Sequence, residues 1–217
     1  MTTQSAFIGF VLSVLAGVAV PAQRSAAQSP NPDPGLELAR FTAAGPATEG
    51  WLMTVNQADA GVSFTRRNTH QGSVALVTSI VIGMVESGPV EAGTSSDSVA
   101  RLVMAGHVAA DRAEGRATGD YKVRDVQLSD TLDGQIRVYV LRYRREMTSW
   151  KHSGWAETMT AYYYFAPDFP GQHKLVRVLV HEQFQVQSTG NQAPDESDTA
   201  WSVIQRLQGE GGGLSLR

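Results

Sequence analysis

Three tyrosines, two histidines and one arginine lie in one segment of the sequence, TAYYYFAPDFPGQHKLVRVLVHEQF at residues 160–184. These residue types bind ligands through hydrogen bonds and cation–π contacts. β-Branched and aromatic runs flank a turn with two prolines, which predicts two antiparallel strands. We expect Ala166 to lie opposite His173, because this register gathers apolar residues on one core-facing side: Met159, Ala161 and Tyr163 with Val176, Val178 and Val180.

The opposite side of this strand pair is a candidate binding surface. In the expected register Tyr162 lies over Arg177, a pair worth about 0.5–1 kcal/mol, and Thr158 lies opposite His181. Tyr164 shares this face. The pattern predicts either a shallow ligand groove or a half-covered sheet face whose tyrosine hydroxyls reach solvent.

A second candidate surface is the segment SWKHSGW at residues 149–155, where Trp150 and Trp155 flank His152. A tryptophan in a loop is a common recognition anchor, although it can equally fold back over the core. We expect the two surfaces together to form the binding site, with these residues: Trp150, His152, Trp155, Tyr162, Tyr164, Arg177 and His181.

Residues for catalysis or metal binding are not brought together by their spacing. HEQFQ at residues 181–185 lacks the second histidine of a zinc motif, and on a strand His181 and Glu182 point to opposite faces. Glu157 and Glu182 lie opposite each other in the expected register, so a carboxylate dyad is the alternative. The sequence has no Gly-x-Ser-x-Gly elbow, no glycine-rich phosphate loop and no cysteine. We predict no catalytic residue set, no metal and no cofactor.

The basic run RYRRE at residues 142–146 is typical of a strand end with solvated arginines. Arg142 and Arg144 share a face of that strand, so they could alternatively hold an anionic partner. The chain as a whole carries a formal charge of −3, which argues against a nucleic-acid-binding protein. Without cysteine, no disulfide can stabilise the fold, and an apolar core must do so.

Hydrophobic periodicity predicts the elements that position these residues. Strand patterns alternate with two amphipathic helices in the order β-β-β-α-β-β-β-β-α. Asp133-Gly134 predicts a hairpin turn, and the first helix is expected to begin after Ser95 or Ser96 and to end at Gly115. Long antiparallel strands that are apolar on both faces need cover on both faces. We therefore predict an α+β fold, a central antiparallel β-sheet flanked by two main helices in an α/β/α-type sandwich.

The two ends of the chain differ in composition from the middle. The uncharged apolar run FIGFVLSVLAGVAV is shorter than the roughly 20 residues of a membrane span and precedes small residues, which predicts a signal peptide at residues 1–22. An uncleaved signal anchor is the alternative. We predict a flexible linker at 23–47, one domain at 48–209 and a disordered glycine-rich tail at 210–217.

The element order, the Gly50-Trp51 opening, the mid-chain helix and the closing AWSVIQRL helix resemble the Mog1/PsbP-like fold group, which includes DcrB-like proteins of the bacterial envelope. The resemblance would cover Gly50 to Leu207. It implies a non-enzymatic accessory or binding protein, and it assigns no role to individual residues here.

The sequence thus predicts an exported, non-catalytic binding protein of the bacterial cell envelope, periplasmic or secreted. Its partner would be an envelope protein or a small ligand, and membrane contact would occur only through an uncleaved N-terminal segment. One alternative is a periplasmic hydrolase with a dispersed active site that draws on His152, Glu157, His181 and Glu182. The other is a carrier with a dry cavity for a small apolar ligand between the sheet and the first helix.

Overall fold

The computed structural model describes residues 34–46, 49–56, 61–70, 73–91, 93–133, 136–148, 154–165, 174–185 and 197–208. Three helices and seven strands lie in these ranges. In chain order they are α1 (Pro34–Ala43), β1 (Leu52–Asn56), β2 (Gly61–His70), β3 (Ser73–Glu86), α2 (Ser96–Thr118), β4 (Tyr121–Asp133), β5 (Ile136–Met147), β6 (Trp155–Phe165), β7 (Lys174–Gln185) and α3 (Ser197–Gln208).

All seven strands form one antiparallel sheet in the order β1-β2-β3-β7-β6-β5-β4. Successive side chains on a strand point to opposite faces. One face packs against α1 and α3, and the other packs against α2. The predicted α+β fold with a covered antiparallel sheet is confirmed, with α1 as an additional helix.

The strands β6 and β7 pair as predicted, but the predicted register is wrong by one residue. Tyr163 lies opposite Arg177, and Tyr162 lies opposite Val178. Met159, Ala161 and Tyr163 are buried as expected, on the face that α2 covers. Apolar matching fixes a register only where one face is wet. Here both faces are covered, so either register keeps apolar side chains inside.

The linker prediction needs correction over residues 34–46, because α1 lies in this stretch and packs against the core. Phe41 and Ala44 are buried beside Phe64 of β2. A Cβ on Gly45 would lie 2.3 Å from the Phe64 ring, so the chain leaves α1 in direct contact with the sheet. Residues 1–33 and 210–217, and with them the predicted signal peptide and tail, lie outside the described residues.

The long helix α2 begins where the sequence predicts and ends one turn later. Ser95 is the N-cap, and its hydroxyl accepts a hydrogen bond from the Ser98 amide. The expected end at Gly115 is wrong, because the helix runs to Thr118 and closes at Gly119 with φ 71°. Among the described residues, no helix combines the length and the hydropathy that a bilayer crossing requires.

Candidate functional site

A row of polar side chains crosses β5, β6 and β7 on the face that α2 covers. Arg145 lies opposite Glu157, and Glu157 lies opposite Gln183. The cross-strand neighbours of an antiparallel sheet share a face, so these side chains meet under the helix. We call the group the polar cluster, and its members are Asp111, Tyr121, Arg145, Glu157, His181 and Gln183.

Arg145 is the centre of the polar cluster. Its Nε donates to Asp111 Oδ2 of α2 at 3.1 Å, and Nη2 donates to Asp111 Oδ1. Nη1 donates to Glu157 Oε2 at 3.2 Å. The Tyr121 ring lies under the guanidinium at 4.4 Å, and its hydroxyl donates to Asp111 Oδ1 at 3.0 Å. The guanidinium therefore joins α2 to β4, β5 and β6.

Glu157 is buried and is held ionised by its neighbours. His181 Nε2 lies 3.1 Å from its Oε2, and Gln183 Nε2 donates to Oε1 at 3.2 Å. Burial alone would raise the pKa of this carboxyl, but the hydrogen bond and charge of His181 and the charge of Arg145 lower it to about 2. Glu157 is therefore an acceptor and a positioning group at neutral pH, not an acid.

The same interface contains His107, which lies between two tyrosine hydroxyls. Its Nδ1 bonds the Tyr163 hydroxyl, and its Nε2 lies 3.3 Å from the Tyr143 hydroxyl. Burial, with help from the charges of Arg177 and Arg145, lowers the His107 pKa to about 4, so the ring is neutral at neutral pH.

The two tyrosines hold both ring nitrogens of His107 at the interface between α2 and the sheet. Tyr163 lies opposite Arg177 across the β6–β7 pair, so the imidazole and the guanidinium share this interface.

The predicted binding surface is not an open sheet face. Tyr162 and Tyr164 are 1% and 2% exposed, because α1 and α3 cover that face. Arg177 and His181 are half-buried on the opposite face, where Arg177 faces Tyr163. The prediction of an open face fails because helices cover both faces of the sheet. The observed register also moves Arg177 and His181 to the face opposite Tyr162 and Tyr164.

The tryptophan segment is described in part. Trp155 is half-buried at the start of β6, opposite Gln185. Trp150 and His152 lie outside the described residues, so their role in binding stays a prediction.

The carboxylate dyad is absent in the expected form. Glu182 lies opposite Thr158, whose hydroxyl donates to Glu182 Oε2 at 3.0 Å. Glu157 lies on the other face of the sheet. The one-residue register difference separates the two carboxylates, and Glu157 meets His181 instead.

A group of exposed cations occupies the opposite face of the sheet, beyond the cover of α1 and α3. Arg144 lies opposite Arg124, and Arg142 lies opposite Gln127. Lys122 lies opposite Glu146, which forms a 2.8 Å ion pair with Arg124. We call this surface the basic patch, and its cations are Lys122, Arg124, Arg142 and Arg144, all exposed.

The expectation of solvated arginines is correct for Arg142 and Arg144, and it misses Arg145. The sequence does contain a signal for Arg145, which is the alternation of side chains along a strand. A residue between two solvated positions points to the opposite, inward face. The partner of Arg145, Asp111, lies 34 residues earlier on α2, so no local spacing links the two. Within the described ranges, no group of three or more histidine or acidic side chains could hold a metal ion.

No family model matches the chain, and no curated protein matches it in sequence. Among the solved structures that are similar is the Ran-binding protein Mog1p of Saccharomyces cerevisiae, at 10% sequence identity and a TM-score of 0.39. The match covers 74% of this chain and 84% of Mog1p. At this TM-score and identity the likeness is a weak one, and it is a likeness of fold alone.

Proposed function

We propose that this protein is an exported, non-catalytic binding protein of the bacterial cell envelope, and that the basic patch binds an acidic, extended segment of a protein partner. The proposal rests on the charge of this surface. Four exposed cations share one face of two neighbouring strands in a chain whose formal charge is −3. Export is supported by the apolar N-terminal run and the small residues behind it.

The geometry of the basic patch suits alternating carboxylates. Arg142 and Arg144 are two positions apart on β5, which places their side chains about 6.8 Å apart along the strand. Every second residue of an extended peptide has the same spacing. Arginine binds carboxylates through two parallel hydrogen bonds, so an acidic residue at alternate positions would match each guanidinium.

The surroundings of the basic patch favour a protein partner over a membrane surface. The neighbouring side chains on this face are polar, and include Gln127, Thr158 and Thr160. Among the described residues, the exposed large apolar side chains nearest on β4 are Leu128 and Leu132, which point to the other face. A membrane-binding surface usually adds apolar side chains that insert between lipids.

A charge-reversal experiment tests the proposal. We expect the full chain to bind a synthetic peptide of alternating Glu and Thr residues in low salt, measured by fluorescence anisotropy. Arg142→Glu/Arg144→Glu should weaken binding at least about tenfold, or roughly 1.4 kcal/mol, because attraction becomes repulsion.

The matched control is Arg112→Glu/Arg116→Glu, which makes the same charge change at exposed positions of α2. It should bind the peptide nearly as the wild type does. Equal loss in both variants would show a general charge effect and contradict the proposal. Binding to phosphatidylglycerol vesicles without binding to the peptide would assign the basic patch to a membrane surface instead.

A hydrolase is the second candidate, because Glu157 bonds His181 as the carboxylate of a catalytic triad bonds and orients its histidine base. His181 lies directly opposite Ser79 of β3, whose hydroxyl is 3.2 Å from the Thr65 hydroxyl. A carboxylate, an imidazole and a serine hydroxyl thus lie along adjoining strands. Ser79 is 4% exposed, however, which leaves little room for a substrate at its oxygen. The carrier alternative gains no support, since polar side chains occupy part of the sheet–α2 interface.

Hydrolysis of p-nitrophenyl acetate separates the two candidates. The binding proposal expects the wild type, His181→Ala and Arg142→Glu/Arg144→Glu to show the same background rate. A rate that is lost in His181→Ala and retained in the arginine variant would replace the binding protein by a hydrolase.

A further inference from the structure

The two edges of the sheet are built differently. β4 carries charged residues along its length, and its pairing with β5 is interrupted by a register shift between Arg124 and Gln127. Asp125 lies in this bulge with φ 53°. Charges and bulges on an edge strand hinder pairing with another strand. The β4 edge is therefore protected.

The β1 edge has none of these features. Its sequence Leu52–Asn56 contains no charged residue and no proline, and its five residues pair with β2 without a bulge. Leu52, Met53 and Val55 are 74%, 47% and 40% exposed. Within the described part of the chain, β2 is the one strand neighbour of β1. An uncharged, regular edge with exposed apolar side chains is open to a further strand.

We propose that the β1 edge pairs with β1 of a second copy of this chain, antiparallel and about a twofold axis at Thr54. In this register Thr54 faces the same residue of the partner, and Met53 of each copy faces Val55 of the other. Thr–Thr and apolar cross-strand pairs are both favourable. Because the strand is uncharged, a copy of itself meets no like charge. The sheets of the two copies would then form one continuous β-sheet.

The length of β1 sets the strength of this contact. Five residues a side bury less than the roughly 1,200–2,000 Å² of a standard stable interface. We therefore expect a reversible dimer whose population rises with concentration. The contact uses the opposite edge of the sheet from the basic patch, so a dimer leaves both patches accessible.

Sedimentation equilibrium of the full chain tests the twofold register. Thr54→Lys and Thr54→Glu each place like charges opposite each other on the axis, so each variant alone should be monomeric where the wild type dimerises. An equimolar mixture of the two should recover the dimer, because Lys then faces Glu. Leu132→Lys, at a 66% exposed position on the β4 edge, should dimerise like the wild type.

Circular dichroism of every variant confirms that it is folded. A wild type that stays monomeric up to its solubility limit overturns the proposal. So does a wild-type dimer that survives Thr54→Lys, or one that Leu132→Lys abolishes. A mixture that fails to recover the dimer rejects the register.

Discussion

Glu157 is a buried carboxylate whose hydrogen bonds link its strand to both neighbouring strands. Its carboxylate accepts hydrogen bonds from Arg145, His181 and Gln183, which come from two different strands. Removing one partner of a buried ion pair leaves the other charge without compensation, which costs about 3–5 kcal/mol. The exposed pair Arg124–Glu146 makes a similar contact at 2.8 Å but gains far less in water.

Glu157→Gln should destabilise the protein by about 3 kcal/mol at pH 7. Its pKa is depressed from a usual 4.5 to about 2 in the folded state, so its stabilisation is complete above about pH 4.5 and is lost as the pH falls towards 2. The difference in unfolding free energy between wild type and variant should therefore shrink across this range. Urea unfolding at several pH values measures it.

Glu146→Gln is the matched control, since it removes one exposed carboxylate from a neighbouring strand. Its unfolding free energy should stay close to that of the wild type, because water screens the exposed ion pair. A Glu157→Gln variant that is as stable as Glu146→Gln at pH 7 would show that the polar cluster adds nothing to folding.

Sequence reasoning identifies the residues of such sites poorly when their partners are distant in the chain. Ser95 was predictable as a cap, because the groups that it bonds lie within three residues. Arg145 was not, because burying a guanidinium depends on Asp111 and Glu157, from another helix and another strand. The alternation of the strand places Arg145 on the opposite face from Arg144, but it does not show that this face carries partners for a buried guanidinium.

At the scale of elements, the contact between α2 and β4 depends on one glycine. A Cβ at Gly115 would lie 2.6 Å from the Tyr121 carbonyl oxygen and 2.9 Å from its ring. The absence of a side chain lets the helix approach the strand closely enough for Tyr121 to reach Asp111. The sequence suggested a helix end at this glycine, whereas its role is close packing.

Gly115→Ala should therefore destabilise the protein by about 1–3 kcal/mol, because the strand must move away from the helix. Gly106→Ala in the same helix meets no atom within 4 Å and should instead stabilise it by about 0.5–1 kcal/mol. Thermal unfolding of both variants gives the comparison. If the two substitutions shift the melting temperature in the same direction, close packing at Gly115 is not limiting.

At the scale of the whole molecule, the sequence predicted the architecture better than the details. The alternation of strand and helix patterns was sufficient to derive a sheet covered on both sides. The register of β6 and β7 was not derivable, because both faces of that pair are apolar and two registers bury them equally well. The docking of α1 rests on a few apolar contacts, chiefly those of Phe41, in a stretch that otherwise has linker composition.

The basic patch also gives the molecule an uneven distribution of charge. The four cations and Glu146 give this corner of the sheet a net charge of +3, so the rest of the chain, whose total formal charge is −3, has a net charge of −6. The electric field of an acidic partner would orient such a molecule before contact, with the basic patch towards the partner. Added salt screens that field, so the association rate should fall as the salt concentration rises. The dissociation rate of a bound partner should change less.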